Sequence, residues 1–198
     1  GALMLKVKLT TLNLHLYYAW QHTFQNTQNI SVIDDDIFNQ PADAIVSPAN
    51  SFGYMDGGLD LKISQRLGWS IEQKIRNTLE QEYFGELPVG CAIITATDQQ
   101  DFPYIITAPT MRVPANVSKT HHAYLAFKAI LQVIKRFNEQ HSNSPIKTVA
   151  CPGLGTGEGR MPADRCARQM KRAWEVVQDN QFVTQGGLAG AVEDHLTL

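Results

Sequence analysis

Hydrophobic and polar positions along this chain follow two alternating rhythms. Short β-branched or apolar runs predict strands over Leu5–Thr10, Ile30–Ile33, Asp43–Val46, Cys91–Thr95, Tyr104–Thr107 and Lys147–Ala150. Several are continuously apolar rather than alternating, as expected of strands covered on both faces. Longer segments repeat at helical spacing. Ala123, Phe127, Ile130, Leu131, Ile134 and Phe137 share one face, and so do Ala163, Cys166, Ala167, Met170, Ala173, Trp174 and Val177. Pro162 is expected at the first position of the second of these helices, where its missing N–H costs nothing. Two shorter helices are predicted between Val46 and Cys91; Gly68 ends the first, and Ser70 with Gln73 forms a capping-box signature for the second. Leu14–Gln28 reads as a short helix joining the first two strands, whereas the tail from Asp179 is weakly periodic and carries no predicted element. Strands alternating with helices define a layered α/β fold.

The length, 198 residues, suits one large domain or two small ones, and no linker, repeat or low-complexity tract divides it. A domain of this size buries roughly 70% of its unfolded surface, so no disulfide or structural metal is required to hold it. A formal net charge of −2 implies no broad attraction to nucleic acid or anionic lipid, so an anion must be caught locally. The three cysteines, Cys91, Cys151 and Cys166, form no C-x-x-C pair, which suits a reducing compartment such as the cytoplasm and suggests no zinc site. No basic region followed by an apolar core marks a signal peptide, and no apolar run approaches the ~20 residues of a spanning helix. Gly1 and Ala2 carry no structural weight.

Two loops hold the chemistry. Ser47-Pro48-Ala49-Asn50-Ser51-Phe52-Gly53-Tyr54-Met55-Asp56-Gly57-Gly58-Leu59-Asp60 leaves a strand and enters a helix, offering unpaired N–H groups to an anion. Cys151 to Pro162 does the same and places glycines at alternate positions, Gly153, Gly155, Gly157 and Gly159. That is more glycine than a connector needs, and a backbone wrapped around phosphate oxygens explains it. Neither loop satisfies G-x-G-x-x-G or the Walker pattern, and no G-x-S-x-G elbow is present, which disfavours dinucleotide dehydrogenases, P-loop enzymes and α/β-hydrolases.

The ordered series Asp36-Ile37, Asp43-Ala44-Ile45-Val46, Asn50 and Gly57-Gly58-Leu59-Asp60 resembles the macrodomain family, as do Ile105-Ile106-Thr107-Ala108-Pro109 and Gly155-Thr156-Gly157. The likeness covers most of residues 30–178, within a single domain of 1–198 whose tail, 179–198, has no assigned role. It implies a three-layer α/β/α fold around a mixed six-stranded sheet, and a cleft for ADP-ribose or an ADP-ribosylated substrate. No cofactor and no metal are implied, no membrane is involved, and nucleic acid enters only as an ADP-ribosylated substrate. On this resemblance Asp36 accepts from the adenine amino group and the Ile37 backbone seats the ring. Gly57, Gly58 and Leu59 face the diphosphate and distal ribose, and Ala49 is a further ligand-binding residue. Gly155, Thr156, Gly157, Glu158 and Gly159 close from the opposite side, and Asn50 bonds the distal ribose. The sequence departs from the family pattern at Ser47 and Pro48, at Met55 and Asp56, and at Gly159, where an aromatic residue often stands.

Asp60 and Asn50 are the candidate catalytic residues. Asp60 either polarises a water for attack at the anomeric carbon or merely complements a helix dipole. Asn50 either contacts ribose or braces its own loop. Thr156 lacks a neighbouring base; His121, His122 and Cys151 read as capping, surface or packing residues, and Arg112 either contacts a ligand or partner or is a solvated loop charge. Three activities fit: removal of ADP-ribose from an acidic side chain or small derivative, recognition of ADP-ribose without chemistry, and dephosphorylation of ADP-ribose phosphate.

Overall fold

A computed structural model describes residues 4–198; Gly1 and Ala2 lie outside that range. The chain runs β1 (Lys6–Thr11), α1 (Leu14–Phe24), β2 (Ile30–Asp34), a short 3-10 turn (Ile37–Asn39), β3 (Ala44–Ser47), α2 (Gly58–Leu67), α3 (Ser70–Tyr83), β4 (Ile93–Ala96), β5 (Tyr104–Thr107), α4 (His122–Gln140), β6 (Thr148–Cys151), α5 (Ala163–Gln178), a second 3-10 turn (Val183–Gly186) and α6 (Gly187–Thr197). Six strands form one sheet in the order β2-β1-β6-β3-β5-β4. Every pairing is parallel except β4 with β5, so the sheet is mixed as expected.

Strand periodicity sorts the core into two layers. Ala44, Val46, Ile106, Val149 and Cys151 point to the face covered by α1, α4 and α5. Their neighbours Ile45, Ile105 and Ala150 point to the opposite face, covered by Ile63 and Leu67 of α2 and by Ile71, Ile75 and Leu79 of α3. Chain leaving β3 therefore passes to one face of the sheet and chain leaving β6 to the other. These strands are adjacent, so a crevice opens between their carboxyl ends, the switch point where open α/β sheets receive ligands. Asp43 staples the opposite ends: its Oδ2 accepts from the N–H groups of Lys147 (2.7 Å) and Thr148 (3.0 Å). Its carboxylate thus caps the entry to β6, and β3 begins one residue later than predicted.

Gly68 ends α2 with φ 104°, a conformation that favours glycine. The capping box expected at Ser70 and Gln73 does not form. Trp69, already helical at φ −65° and ψ −24°, occupies the cap position, which puts Ser70 inside α3 instead of in the extended backbone a side-chain cap requires. Gln73 bonds Asn77 instead. Pro162, at φ −58° and ψ 144°, stands one place before the first residue of α5. Helix α1 stops at Phe24, short of Gln28, and is capped by Asn13, whose Oδ1 accepts from His15 and Leu16. The tail is ordered into α6. Arg172 holds Asp194 at 2.5 Å, Arg168 donates to the Thr197 carbonyl, and the His121 and His195 rings stack at 4.0 Å.

Candidate functional site

The crevice is a cleft of about 350 Å³. One wall is the turn into α2, Gly57 to Asp60; the other is the loop after β6, Pro152 to Gly159; Ala49, Asn50 and Thr110 lie between. A second pocket of about 180 Å³ holds Asp36, Ile37 and Phe38 and shares Leu59, Pro152 and Gly153 with the cleft, so the two form one elongated trough. Thus all the sequence-predicted ligand residues fall along a single groove.

The amide supply follows from local structure. The first N–H groups of a helix have no intrahelical acceptor, and in α2 these belong to Gly58, Leu59 and Asp60. Across the cleft the N–H groups of Thr156, Gly157 and Glu158 meet no acceptor among the described residues. The alternate glycines of this loop divide by role. A Cβ on Gly159 would lie 2.7 Å from the Gly155 carbonyl oxygen and 2.5 Å from Val117, and a Cβ on Gly153 would collide with Thr156 and Leu16. Gly155 has φ 76° and packs against Val117. Three of the four are thus demanded by the loop's own packing, tied by Val117 N–H to Gly159 O and Met161 N–H to Gly155 O, both 2.8 Å. Only Gly157 faces open space, as do Gly57 and Gly58 opposite.

Asp60 lines the cleft while only 9% exposed, and its Oδ1 accepts from the buried Ser47 hydroxyl at 2.6 Å. Burial pushes its pKa up to about 7, with the Ser47 hydrogen bond opposing and the charge of Asp56 reinforcing the rise. A carboxyl half-ionised near neutrality can take up or release a proton there. Ser47, a departure from the family pattern, is therefore the partner that orients Asp60.

Asn50 braces its loop and lines the cleft at once. Its Oδ1 accepts from Phe52 N–H (3.0 Å) and Tyr54 N–H (3.4 Å), and its amide donates to Tyr54 O (2.9 Å), leaving one amide hydrogen uncommitted. Met55, another departure, is buried among Ile63, Ile71 and Ile75 and anchors the loop; its N–H donates to Glu72 at 2.8 Å. Asp36 uses Oδ1 to cap the 3-10 turn through Phe38 N–H (3.0 Å), with Oδ2 unbonded among the described residues. Its side chain is exposed at the pocket, and Ile37 is buried beside it.

Sequence reasoning missed Tyr54, Met111 and Pro114, which complete the cleft. Met111 and Pro114 arrive through long-range pairing, a bridge between Asn50 and Met111 and a hydrogen bond from Ser51 N–H to Arg112 O, whereas Tyr54 lies in the Ser47–Asp60 loop itself. Tyr54 is itself backed by Arg76, 4.4 Å from its ring centroid. The remaining candidates lie outside the cleft or are inert. The Thr156 side chain folds over Gly153. Burial drives the Cys151 thiol well above its ordinary pKa, so it is no nucleophile. Arg112 pairs with Glu86, His121 reaches α6, and His122 bonds the Thr110 carbonyl at 2.6 Å. Among the described residues no group of three His, Cys, Asp or Glu is arranged to hold a metal, and no helix is long and apolar enough to cross a membrane.

Fold and site together define a three-layer α/β/α domain with an amide-lined cleft at the switch point of its sheet. The family profile described as Macro domain matches residues 46–170. A protein of Aquifex aeolicus without an assigned function is 36% identical over 142 residues, 72% of this chain and 78% of its own length. A macro domain-containing protein of Caldanaerobacter subterraneus is 30% identical over 71% of this chain and 76% of its own. The chain belongs to the macro domain family. Among solved structures, the macrodomain of Mycobacterium tuberculosis DarG superposes with a TM-score of 0.59 at 24% identity, covering 71% of this chain and 86% of that one. An Oceanobacillus iheyensis macrodomain variant solved with ADP-ribose gives 0.59 at 20% identity, covering 73% and 74%. At these identities the structures show a shared fold.

Proposed function

We propose that the trough binds ADP-ribose, with adenine at Asp36 and Ile37, the diphosphate between the Gly57–Gly58 turn and the Gly155–Gly159 loop, and the distal ribose beside Asn50 and Asp60. The observation that carries this reading is the pair of opposed walls presenting unpaired amides across the cleft. Main-chain donors at a helix start and in a glycine loop hold a diphosphate without any basic side chain. The ADP-ribose in the Oceanobacillus iheyensis relative supports the choice of ligand.

We further propose hydrolysis of ADP-ribose from an acidic side chain or a small derivative. Water bonded to Asp60 attacks the distal anomeric carbon and passes a proton to the Asp60 carboxylate. The bond from that carbon to the carrier oxygen breaks, and its electron pair leaves with the carrier carboxylate. Asp60, titrating near 7, is ionised in about half the molecules at neutral pH and surrenders the proton to solvent afterwards. The free thiols Cys91, Cys151 and Cys166 support a reducing compartment such as the cytoplasm.

A second reading, recognition without chemistry, is favoured by the Asn50 side chain, most of whose capacity is spent on its own loop. One comparison separates the two: release of ADP-ribose from a glutamate-modified peptide by the parent and by Asp60→Ala. Release that disappears in the variant supports the hydrolase. Tight ADP-ribose binding with no release by the parent leaves the recognition module.

A further inference from the structure

The cleft is lined by three carboxylates, Asp56, Asp60 and Glu158, and among the described residues by no Lys, Arg or His. Asp60 is buried with one carboxyl oxygen unpartnered, whereas Asp56 and Glu158 are exposed and make no ion pair among the described residues. Two neighbouring cations are already matched: Arg76 pairs with Glu72 and lies over Tyr54, and Arg112 pairs with Glu86. Arg160, two residues beyond Glu158, does not line the cleft. Lys62 belongs to the Asp36 pocket at the other end of the trough. At the adenine end Lys62 offsets part of the charge of Asp35 and Asp36, whereas no basic side chain lines the cleft beside Asp56, Asp60 and Glu158 among the described residues.

Asp56 lies on the Asp60 wall of the cleft and Glu158 on the opposite wall, so a group attached to a distal ribose beside Asp60 leaves through a cleft with acid on both sides. Opposite charges at a rim attract, and like charges repel through a cleft that focuses the field. Resting on the ADP-ribose reading above, we propose that Asp56 and Glu158 select the carrier: this cleft takes ADP-ribose attached to a basic polypeptide segment and discriminates against acidic segments, a distal phosphate and nucleic acid. The modified side chain itself can be neutral once esterified; the charge being read is that of its neighbours.

The test compares two peptides ADP-ribosylated at one serine, flanked by lysines or by glutamates, with free ADP-ribose and an ADP-ribosylated oligonucleotide as controls. Binding is measured by calorimetry at 50 mM and 500 mM salt. At the lower salt we expect the lysine peptide to bind about five- to ten-fold tighter than the glutamate peptide, with the oligonucleotide weakest and the gap collapsing at the higher salt. In an Asp56→Asn/Glu158→Gln variant the two peptides should bind alike. Free ADP-ribose should then bind slightly tighter, since two charges that repel its diphosphate are gone. Equal affinities in the parent, or tightest binding of the glutamate peptide or the oligonucleotide, overturn the proposal while leaving the cleft as an ADP-ribose site. Absence of binding by free ADP-ribose refutes the underlying reading instead.

Discussion

Asp60 offers a quantitative check on the site, because a buried carboxyl leaves a pH signature on stability. Its folded pKa of about 7 lies above the unfolded value of 3.8. Below pH 3.8 the group is protonated in both states and exacts nothing. Between pH 4 and 7 the folded chain binds more protons than the unfolded one, so stability falls as pH rises, and above pH 7 the loss is complete. At about 1.4 kcal/mol per pH unit the full loss is about 4 kcal/mol. Asp60→Asn cannot ionise and keeps an oxygen to accept from Ser47. Its melting temperature should match or fall below the parent's at pH 4 and exceed it at pH 8.5. At roughly 2–4 °C per kcal/mol for a domain of this size, the gain at high pH is about 10 °C. Thermal melts of both proteins across this range check the point, since every other titrating group is common to both. A difference that does not change with pH would mean that Asp60 is not the buried, proton-holding group described.

Three further outcomes bear on the trough. Asp36→Ala should weaken ADP-ribose binding by about 1–3 kcal/mol, the cost of leaving a ligand donor unpaired, while Asp36→Asn, which preserves an acceptor for Phe38 N–H, separates the loss of charge from the loss of the cap; calorimetry reads both. Gly157→Val should fold normally yet bind ADP-ribose poorly, because its side chain enters open cleft, whereas Gly159→Ala should lower the melting temperature by pressing on the Gly155 carbonyl. Met55→Ala should cost about 2–5 kcal/mol of stability by opening a cavity under the loop, and proteolysis near Tyr54 should accelerate.

The layers of the fold were legible in the sequence because they rest on local periodicity. The continuously apolar strands covered on both faces, the long amphipathic stripe of α4 and the two glycine-bearing loops all follow from spacing, whereas the division of the strand side chains between the two faces came from the structure. What escaped depends on contacts between distant segments. Helix α6 is weakly amphipathic and largely exposed, and its order comes from Arg172, Arg168 and His121, none of them near it in sequence. The Ser47 bond that orients Asp60 spans two elements, and Met111 and Pro114 reach the cleft only because strand pairing continues past β3 and β5. Glycine counting also overstated the ligand's share, since packing alone requires Gly153, Gly155 and Gly159.

The central claim is that backbone amides on opposite walls grip a diphosphate. Amide-resolved NMR during titration with ADP-ribose tests it most directly. The account predicts saturable shifts concentrated at Gly57, Gly58, Leu59, Thr156, Gly157 and Glu158, with smaller ones at Asp36 and Ile37. Unmoved amides at millimolar ADP-ribose on folded protein, or shifts confined to another face, would contradict it.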